Sequence, residues 1–386
     1  MFNKNLIKYL FVISFLIIFV EFTSFIMSVN NLLLANITPN FYLKNKVNDI
    51  SKFWTEEEPW GAWHKKNFSA KYKTKCFEVN YSSNEYGARD KSFQNISKKN
   101  NFILIGDSFA EGYGVDYDDM SKSLIEKETG LNILNFGTSK DFGPVNYYLI
   151  YEKLAKNFPH EGIIIFLLPN NDFRDNDYNY FKKTKNSNYD FGERYRPYYK
   201  KNDNNFEIFY PEKAIKNSDN RNLLKDYFWF YNVLRTIKIF IISSKQKDIK
   251  HEQIQSLNEE SSVYSGVYSG YFVPTKEQQE ATIYFLKKII NSAKNKNIYL
   301  ISIPLADDYE NINIKNIDRN KMLWWSSFKH LDSSLSNFYF IDLADYRHDD
   351  FSSLFYPDDC DGHWNIKGNI WAAKIISNYI NKNKKD

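Results

Sequence analysis

The sequence predicts a three-layer α/β fold with a mostly parallel, five-stranded sheet, preceded by one apolar N-terminal helix. Three observations carry that expectation. Five short apolar runs are flanked by polar or turn residues, as buried parallel strands are. Helical segments separate the runs, and the N-terminus holds an apolar stretch long enough to cross a bilayer. The composition agrees with a globular chain: of 386 residues, 43% are hydrophobic and 25% charged, with a net charge of +4. That excludes a disordered or fibrous protein. The basic residues are scattered singly among acids, without the stripe that nucleic-acid binding requires. Six His and two Cys argue against a multi-ligand zinc site.

Taken in order, Leu6 to Met27 (LIKYLFVISFLIIFVEFTSFIM) is the candidate membrane span. Lys4 and Lys8 precede its apolar centre, so the positive-inside rule keeps the N-terminus cytoplasmic and exports everything after about residue 30. The chain is therefore expected in the cytoplasmic membrane as a single-pass protein, its main domain on the periplasmic or extracellular side. Small residues spaced for signal cleavage are hard to find at Ser28-Val29-Asn30 or Ala35, which favours an uncleaved anchor over a signal peptide. Glu21 is costly at this depth and should mark the outer end of the span or a contact with another membrane helix.

After the anchor (residues 1–30) comes an N-terminal elaboration, partly β, over 31–100, and then an α/β domain over 101–386. The strands expected are Phe102 to Ile105, Ile133 to Phe136, Gly162 to Leu168, Ile298 to Ile303 and Phe338 to Leu343. Helices are expected at Asp119 to Thr129, Val145 to Lys156, Thr275 to Lys294 and after Asn365. Thr275-Lys-Glu-Gln278 has the pattern of a capping box. An insertion at about 173–272 breaks the alternation. Within it, Leu223 to Ile242 is interrupted by Asp226, Asn232, Arg235 and Lys238, which favours an amphipathic helix packed on the domain over a second span. Tyr178, Tyr180, Tyr189, Tyr195, Tyr198 and Tyr199 either form a stacking platform for sugar rings or pack the insertion itself; packing is favoured.

In open α/β sheets the ligand crevice lies outside the carboxyl ends of the strands. Gly106-Asp107-Ser108 follows the first strand, Gly137 the second, Pro169-Asn170-Asn171-Asp172 the third, and Asp361-Gly362-His363-Trp364 the fifth. A serine, a histidine with a nearby carboxylate and potential oxyanion donors thus fall at one sheet edge, which is the equipment for acyl transfer. Taken singly, each has a plainer reading. Ser108 could be a helix cap, Gly137 a turn, Asn171 and Asp172 a capping pair, and His348 is a rival to His363.

These residues also resemble a family. Gly106-Asp107-Ser108, Gly137, Asn171 and His363 are similar, in order, to the four blocks of the SGNH (GDSL-type) hydrolases. The likeness covers about residue 84 to the C-terminus, and Asn84 to Asp90 (NEYGARD) resembles the membrane-anchored bacterial branch. The resemblance implies a flavodoxin-like three-layer sheet and a cofactor-free serine esterase. Ser108 would be the nucleophile, His363 the base and Asp361 its supporting carboxylate, with Ser108, Gly137 and Asn171 as oxyanion donors. The sequence departs from the family at Pro169, where the third block usually has Gly, and at Cys360, which stands where the last block often has Asp. Asp361, two residues before His363, then competes with Asp358 and Asp359 for the carboxylate role. The Asp-x-His-Trp form resembles relatives acting on exported polysaccharides, including acetyltransferases. The implied substrate is an acyl ester, O-acetyl on a polysaccharide among them. An O-acyltransferase and a catalytically silent glycan-binding domain remain alternatives. Cys76 and Cys360 are open to either state, bridged in an exported protein or both free.

Overall fold

The computed structural model describes residues 4–30, 39, 50–74, 76–97, 99–139, 142–180, 196–203, 205–210, 223–238, 241, 270–272, 274–315, 317–357, 360 and 362–383. Two compact units divide the chain, one of 1–49 with 215–266 and one of 50–214 with 267–386.

In the first unit, α1 (Lys4–Val29) is a continuous helix. Its stretch Ile7–Ser28, 22 residues, is long and apolar enough to cross a membrane and is almost wholly uncovered by protein.

The second unit opens with two antiparallel hairpins, β1 (Trp54–Glu58) with β2 (Gly61–His64) and β3 (Ser69–Lys73) with β4 (Glu78–Ser82). The core strands follow as β5 (Asn101–Ile105), β6 (Asn132–Asn135) and β7 (Gly162–Leu167). The short α2 (Ser108–Glu111) and α3 (Ser121–Thr129) lie between β5 and β6, α4 (Pro144–Lys153) before β7, and α5 (Pro169–Asp175) after it. A further hairpin, β8 (Tyr198–Asn202) with β9 (Asn205–Phe209), belongs to the insertion. The first unit contributes α6 (Leu223–Tyr227). The chain then closes with α7 (Lys276–Ala293), β10 (Asn297–Ser302), α8 (Ala306–Lys315), α9 (Leu323–Ser334), β11 (Phe338–Asp342) and α10 (Ile366–Asn383).

The five core strands run parallel in the order β11-β10-β7-β5-β6. Alternation along each strand builds two cores. Ile103, Ile105, Ile163, Ile165 and Leu300 meet Ile150 of α4, Leu286 of α7 and Phe328 of α9 on one face. Phe102, Leu104, Ile164, Phe166 and Ile301 meet Ile125 of α3 and Ile376 of α10 on the other. Side chains of period two cannot all face one core, so helices must cover both faces, and the result is three layers. The expected capping box forms: Thr275 Oγ1 accepts from Gln278 N at 3.2 Å, and Gln278 Oε1 accepts from Thr275 N at 3.0 Å.

Numbered along the chain, the sheet order is second, first, third, fourth, fifth. Its topological switch point therefore lies between β5 and β7, where an open α/β sheet leaves a crevice. The tyrosines described in the insertion pack rather than form an open platform. Tyr198 is fully buried and Tyr199 nearly so, and Tyr178 sets its ring edge-on against Tyr198 and Phe209 at 5.2 and 5.1 Å. Tyr189 and Tyr195 lie outside the described residues.

Cys76 and Cys360 are bridged, with Cα atoms 6.1 Å apart and a separation of 284 positions in sequence. Closing so long a loop removes much entropy from the unfolded chain, up to about 5 kcal/mol in the chain-entropy account. Reduction, or Cys76→Ser, is expected to lower the thermal midpoint by several degrees in scanning calorimetry; an unchanged midpoint would show that the bridge contributes nothing.

Candidate active site

Ser108 begins α2 three residues after β5 ends, so the chain turns sharply out of the sheet. Only glycine fits at the turn: a Cβ on Gly106 would stand 2.7 Å from Ala110 Cβ and 2.9 Å from Phe166 Cβ. Asp107 caps the helix, its Oδ1 accepting from Phe109 N at 2.9 Å. The helix stops after one turn at Gly112, leaving Ser108 half-buried at the mouth of the crevice.

His363 arrives from the other end of the chain and is pinned by its neighbours. Its carbonyl accepts from Tyr356 N at 2.7 Å. Trp364 is buried edge-on against Phe109 with ring centroids 4.9 Å apart. Asn365 caps α10, accepting from Lys367 N at 2.9 Å and Gly368 N at 3.2 Å, while its amide donates to the Ser353 and Phe355 carbonyls. These restraints leave His363 Nε2 2.7 Å from Ser108 Oγ, across 255 residues of sequence. The imidazole lies against the rings of Tyr113 and Phe109, at 4.4 and 5.1 Å.

Asn171, on α5, stands beside the serine's neighbour. Burial pushes the Asp107 carboxyl up to about 7, against the pull of the Phe109 N–H and of a hydrogen bond with Asn171. The Asn171 amide also donates to Asp175 Oδ2 at 3.1 Å. Gly137 differs from expectation. Its N–H, expected to face a substrate oxygen, donates to Asn135 Oδ1 at 2.9 Å. The glycine's contribution is steric: a Cβ there would stand 2.6 Å from Ala110 and Glu111 backbone atoms, so the second loop can lie flat on α2 only without one. Asp361, Asp358 and Asp359 lie outside the described residues. His348, the rival base, accepts from Asp350 N at 3.2 Å and donates its own N–H to Tyr309 Oη at 2.7 Å.

Under the nucleophile turn lies a carboxylate whose part the sequence does not reveal. Glu111 is fully buried; its Oε2 lies 2.9 Å from His64 Nε2 and accepts from Trp54 Nε1 at 3.1 Å and from Ser139 N. Although burial pushes the carboxyl up, the bond and charge of His64, with Arg89 and the Ser139 N–H, hold it down at about 2. His64 is oriented in turn, its Nδ1 donating to the Gly87 carbonyl at 2.8 Å. Arg89 donates to the carbonyls of Glu111 at 3.1 Å, Gly112, and Val115 at 2.6 Å, with its guanidinium 3.7 Å over the Tyr81 ring.

The segment Asn84 to Asp90 is therefore more than context for the serine. Asn84 Oδ1 accepts from Tyr86 N and Ala88 N, both at 3.0 Å. Asp90 takes Lys122 Nζ at 2.7 Å and Asn135 N at 2.9 Å, tying this segment to α3 and β6. The available signal was a carboxylate in an otherwise apolar turn, Phe109-Ala110-Glu111, which must find a partner if buried.

No protein-family model matches the chain, and no curated protein matches it significantly. Solved structures similar to it include a G-D-S-L-family protein from Desulfitobacterium hafniense (11% identity, TM-score 0.33, covering 72% of this chain and 99% of that one). A Corynascus thermopiles (Myceliophthora fergusii) carbohydrate esterase family 2 enzyme with a carbohydrate-binding domain is 12% identical (TM-score 0.38, covering 75% of this chain and 68% of that one). A GDSL-like protein from Bacteroides ovatus is 13% identical (TM-score 0.33, covering 74% of this chain and 53% of that one). At such identities and scores the candidate site stands on this chain's own residues.

Substitutions at three residues test the site's support. Glu111→Gln leaves His64 without its carboxylate and is expected to cost about 3 kcal/mol of stability in a denaturant titration. Combined with His64→Gln it should show a coupling of about 1 kcal/mol or more; strict additivity would mean the pair does not act as one. Asp107 holds its proton more tightly folded than unfolded, so its contribution is intact below about pH 4 and is lost as pH rises through about 7. Asp107→Asn, which still caps the turn, is expected to flatten the stability profile over that window relative to the parent; superimposable profiles would refute the assignment.

Proposed function

We propose that the chain is a membrane-anchored serine esterase of the SGNH type, with its catalytic unit on the outer side of the membrane. The single observation that carries this reading is the 2.7 Å contact between Ser108 Oγ and His363 Nε2 at the switch-point edge of a parallel sheet. The apolar α1 behind Lys4 and Lys8, together with a disulfide of the kind that persists in oxidising compartments, supports export.

In the reaction, Ser108 Oγ bonds to the ester carbonyl carbon as its proton passes to His363 Nε2. The carbonyl oxygen becomes an oxyanion, received by the Ser108 N–H and by the Asn171 amide, which turns to it from Asp175. Gly137 joins them only by exchanging its bond to Asn135. The tetrahedral centre then collapses, the ester C–O bond breaks, and the leaving alcohol takes the proton from His363. Water repeats the sequence on the acyl-serine and releases the acid. Asp361 is the carboxylate we assign to steady the imidazolium. The rings of Tyr113 and Phe109 lie against the imidazole and hold its plane. The substrate we favour is an O-acetyl ester on an exported polysaccharide, supported by the likeness of Asp361-Gly362-His363-Trp364 to the polysaccharide-acting form.

The test is labelling with a serine-directed phosphonate alongside turnover of a simple acetyl ester. Ser108→Ala is expected to abolish labelling and lower kcat by about 10⁴-fold or more. Asn171→Ala is expected to lower it about 10²- to 10³-fold with little change in KM. Well-folded parent protein that neither labels nor turns over would favour the silent domain, and full activity in Ser108→Ala would place the nucleophile elsewhere. Product partition with an added oligosaccharide acceptor separates hydrolysis from acyl transfer.

A further inference from the structure

We infer that the chain meets its membrane twice: beside the outer part of α1, the insertion helices over residues 223–227 and 229–238 lie in the bilayer interface with one apolar face in lipid. The inference rests on α1 being the membrane anchor. It concerns only the unit formed by residues 1–49 and 215–266.

The first observation is a stripe. Phe230, Leu234 and Ile237 follow one another at spacings of four and three along the helix over 229–238, and Leu223 and Tyr227 stand four apart on α6, so each helix carries apolar residues on one face. All five are between 39% and 61% exposed. Asn232, on the opposite side of the helix over 229–238, is buried, so the apolar stripe faces outward and a polar residue faces inward. Such a stripe facing water would be an aggregation surface; facing lipid it is the ordinary arrangement of an interfacial helix.

The second observation fixes the occupant. The carboxylate of Glu21, within the apolar span of α1, accepts from Trp229 N at 2.9 Å and Phe230 N at 3.4 Å, the first amides of the helix over 229–238. Phe25 meets the Trp229 ring edge-on at 5.3 Å. An anion at a helix N-terminus is a favourable partner for the helix dipole, and the pairing relieves the cost of a carboxylate in an apolar span. The contact also sets the depth. Glu21 lies seven residues before Ser28, where the apolar span ends, which is about 10 Å of helix. Interfacial helices bury their apolar faces about 5–10 Å into the boundary of headgroups and acyl chains. The same lipid that must cover the exposed face of α1 thus reaches the stripe.

Two further features fit lipid. Where the two helical segments meet, Asn232 Nδ2 donates to the carbonyls of Lys225 and Phe228, each at 2.9 Å, so the break does not leave those carbonyls bare. Lys225, Arg235 and Lys238 lie off the stripe, where their long side chains can reach anionic headgroups.

The test uses the full chain in vesicles of phosphatidylethanolamine and phosphatidylglycerol. Both native cysteines are bridged, so a single introduced thiol takes a nitroxide label. Labels at Leu234→Cys and Ile237→Cys are compared with Phe15→Cys on α1 and with Lys200→Cys, which is exposed on β8. Relaxation by oxygen and by a water-soluble nickel chelate gives depth. The expected result is oxygen access with nickel exclusion at 234 and 237, about 5–10 Å below the phosphates, and nickel access at 200. Glu21→Ala should move the 234 and 237 labels toward water while Phe15 stays in lipid, and Glu21→Gln, which keeps an acceptor oxygen, should restore much of the depth. Nickel access at 234 and 237 with Phe15 in lipid overturns the inference and leaves the anchor standing. Nickel access at Phe15 removes the anchor and the inference together. Exclusion of both reagents at 234 and 237, with spin–spin broadening, would mean a second copy covers the stripe and would also overturn it.

Discussion

A carboxylate removed from water needs partners from the protein, and the Oε2 of Glu111 is met by His64, Trp54 and Ser139 N, with the charge of Arg89 nearby. That requirement organises the site. Glu111 is three residues after Ser108, on the buried side of the same helical turn. Ser139 belongs to the loop after β6, and His64 and Trp54 belong to the first hairpin. Moving any one of these elements would strip a partner from a buried charge, so the nucleophile turn, the loop after β6 and the N-terminal hairpin hold one arrangement.

The histidine side is tied to the same N-terminal region by separate means. Cys360, three residues before His363, is bridged to Cys76 beside the second hairpin. Tyr356, whose N–H holds the His363 carbonyl, donates its hydroxyl to the Gly114 carbonyl at 3.0 Å and sets its ring against Phe77. Tyr72 of β3 shares a 2.8 Å hydrogen bond with Tyr113, the ring that flanks the imidazole. One hairpin thus steadies the serine and the other the histidine. Short contacts between two side chains 255 residues apart are kept only when both backbones are fixed from outside, and these hairpins supply that restraint. The two glycines complete it, because Gly106 and Gly137 allow the strand-end loops to approach α2 more closely than any side chain would permit.

The sheet was legible because its signal is local. Runs such as Phe102 to Ile105 and Gly162 to Leu168 are apolar throughout, as strands covered on both faces must be, and Thr275 with Gln278 announces its helix within four residues. Ser108 and His363 were legible because strand ends converge in this topology, so residues after the first and fifth strands were expected at one edge. The task of Gly137 was not legible, since whether its N–H meets a substrate or Asn135 depends on a side-chain rotamer. The Glu111–His64 pair was hidden for another reason. The partners are 47 residues apart, on a helical turn and a hairpin whose docking no periodicity encodes. The cysteine pair stood in between: two residues permit one bridge, but sequence does not say that the ends meet.

Glu21 and Glu111 present the same physical problem and differ only in how visible it is. Glu21 stands out in the sequence because everything around it is apolar; Glu111 sits in a turn that could as well have faced water. Both are resolved in the same way, with backbone N–H groups of a distant segment brought to the carboxylate: Trp229 and Phe230 for Glu21, Ser139 for Glu111. A backbone donor can be supplied by any residue type but proline, so neither partner is marked in the sequence, whereas each acceptor is a single replaceable side chain. It follows that a carboxylate in an apolar stretch locates where a remote segment docks without saying which segment. In this chain the two acids locate two dockings that local pattern leaves out, the insertion helix on α1 and the loop after β6 on the nucleophile turn.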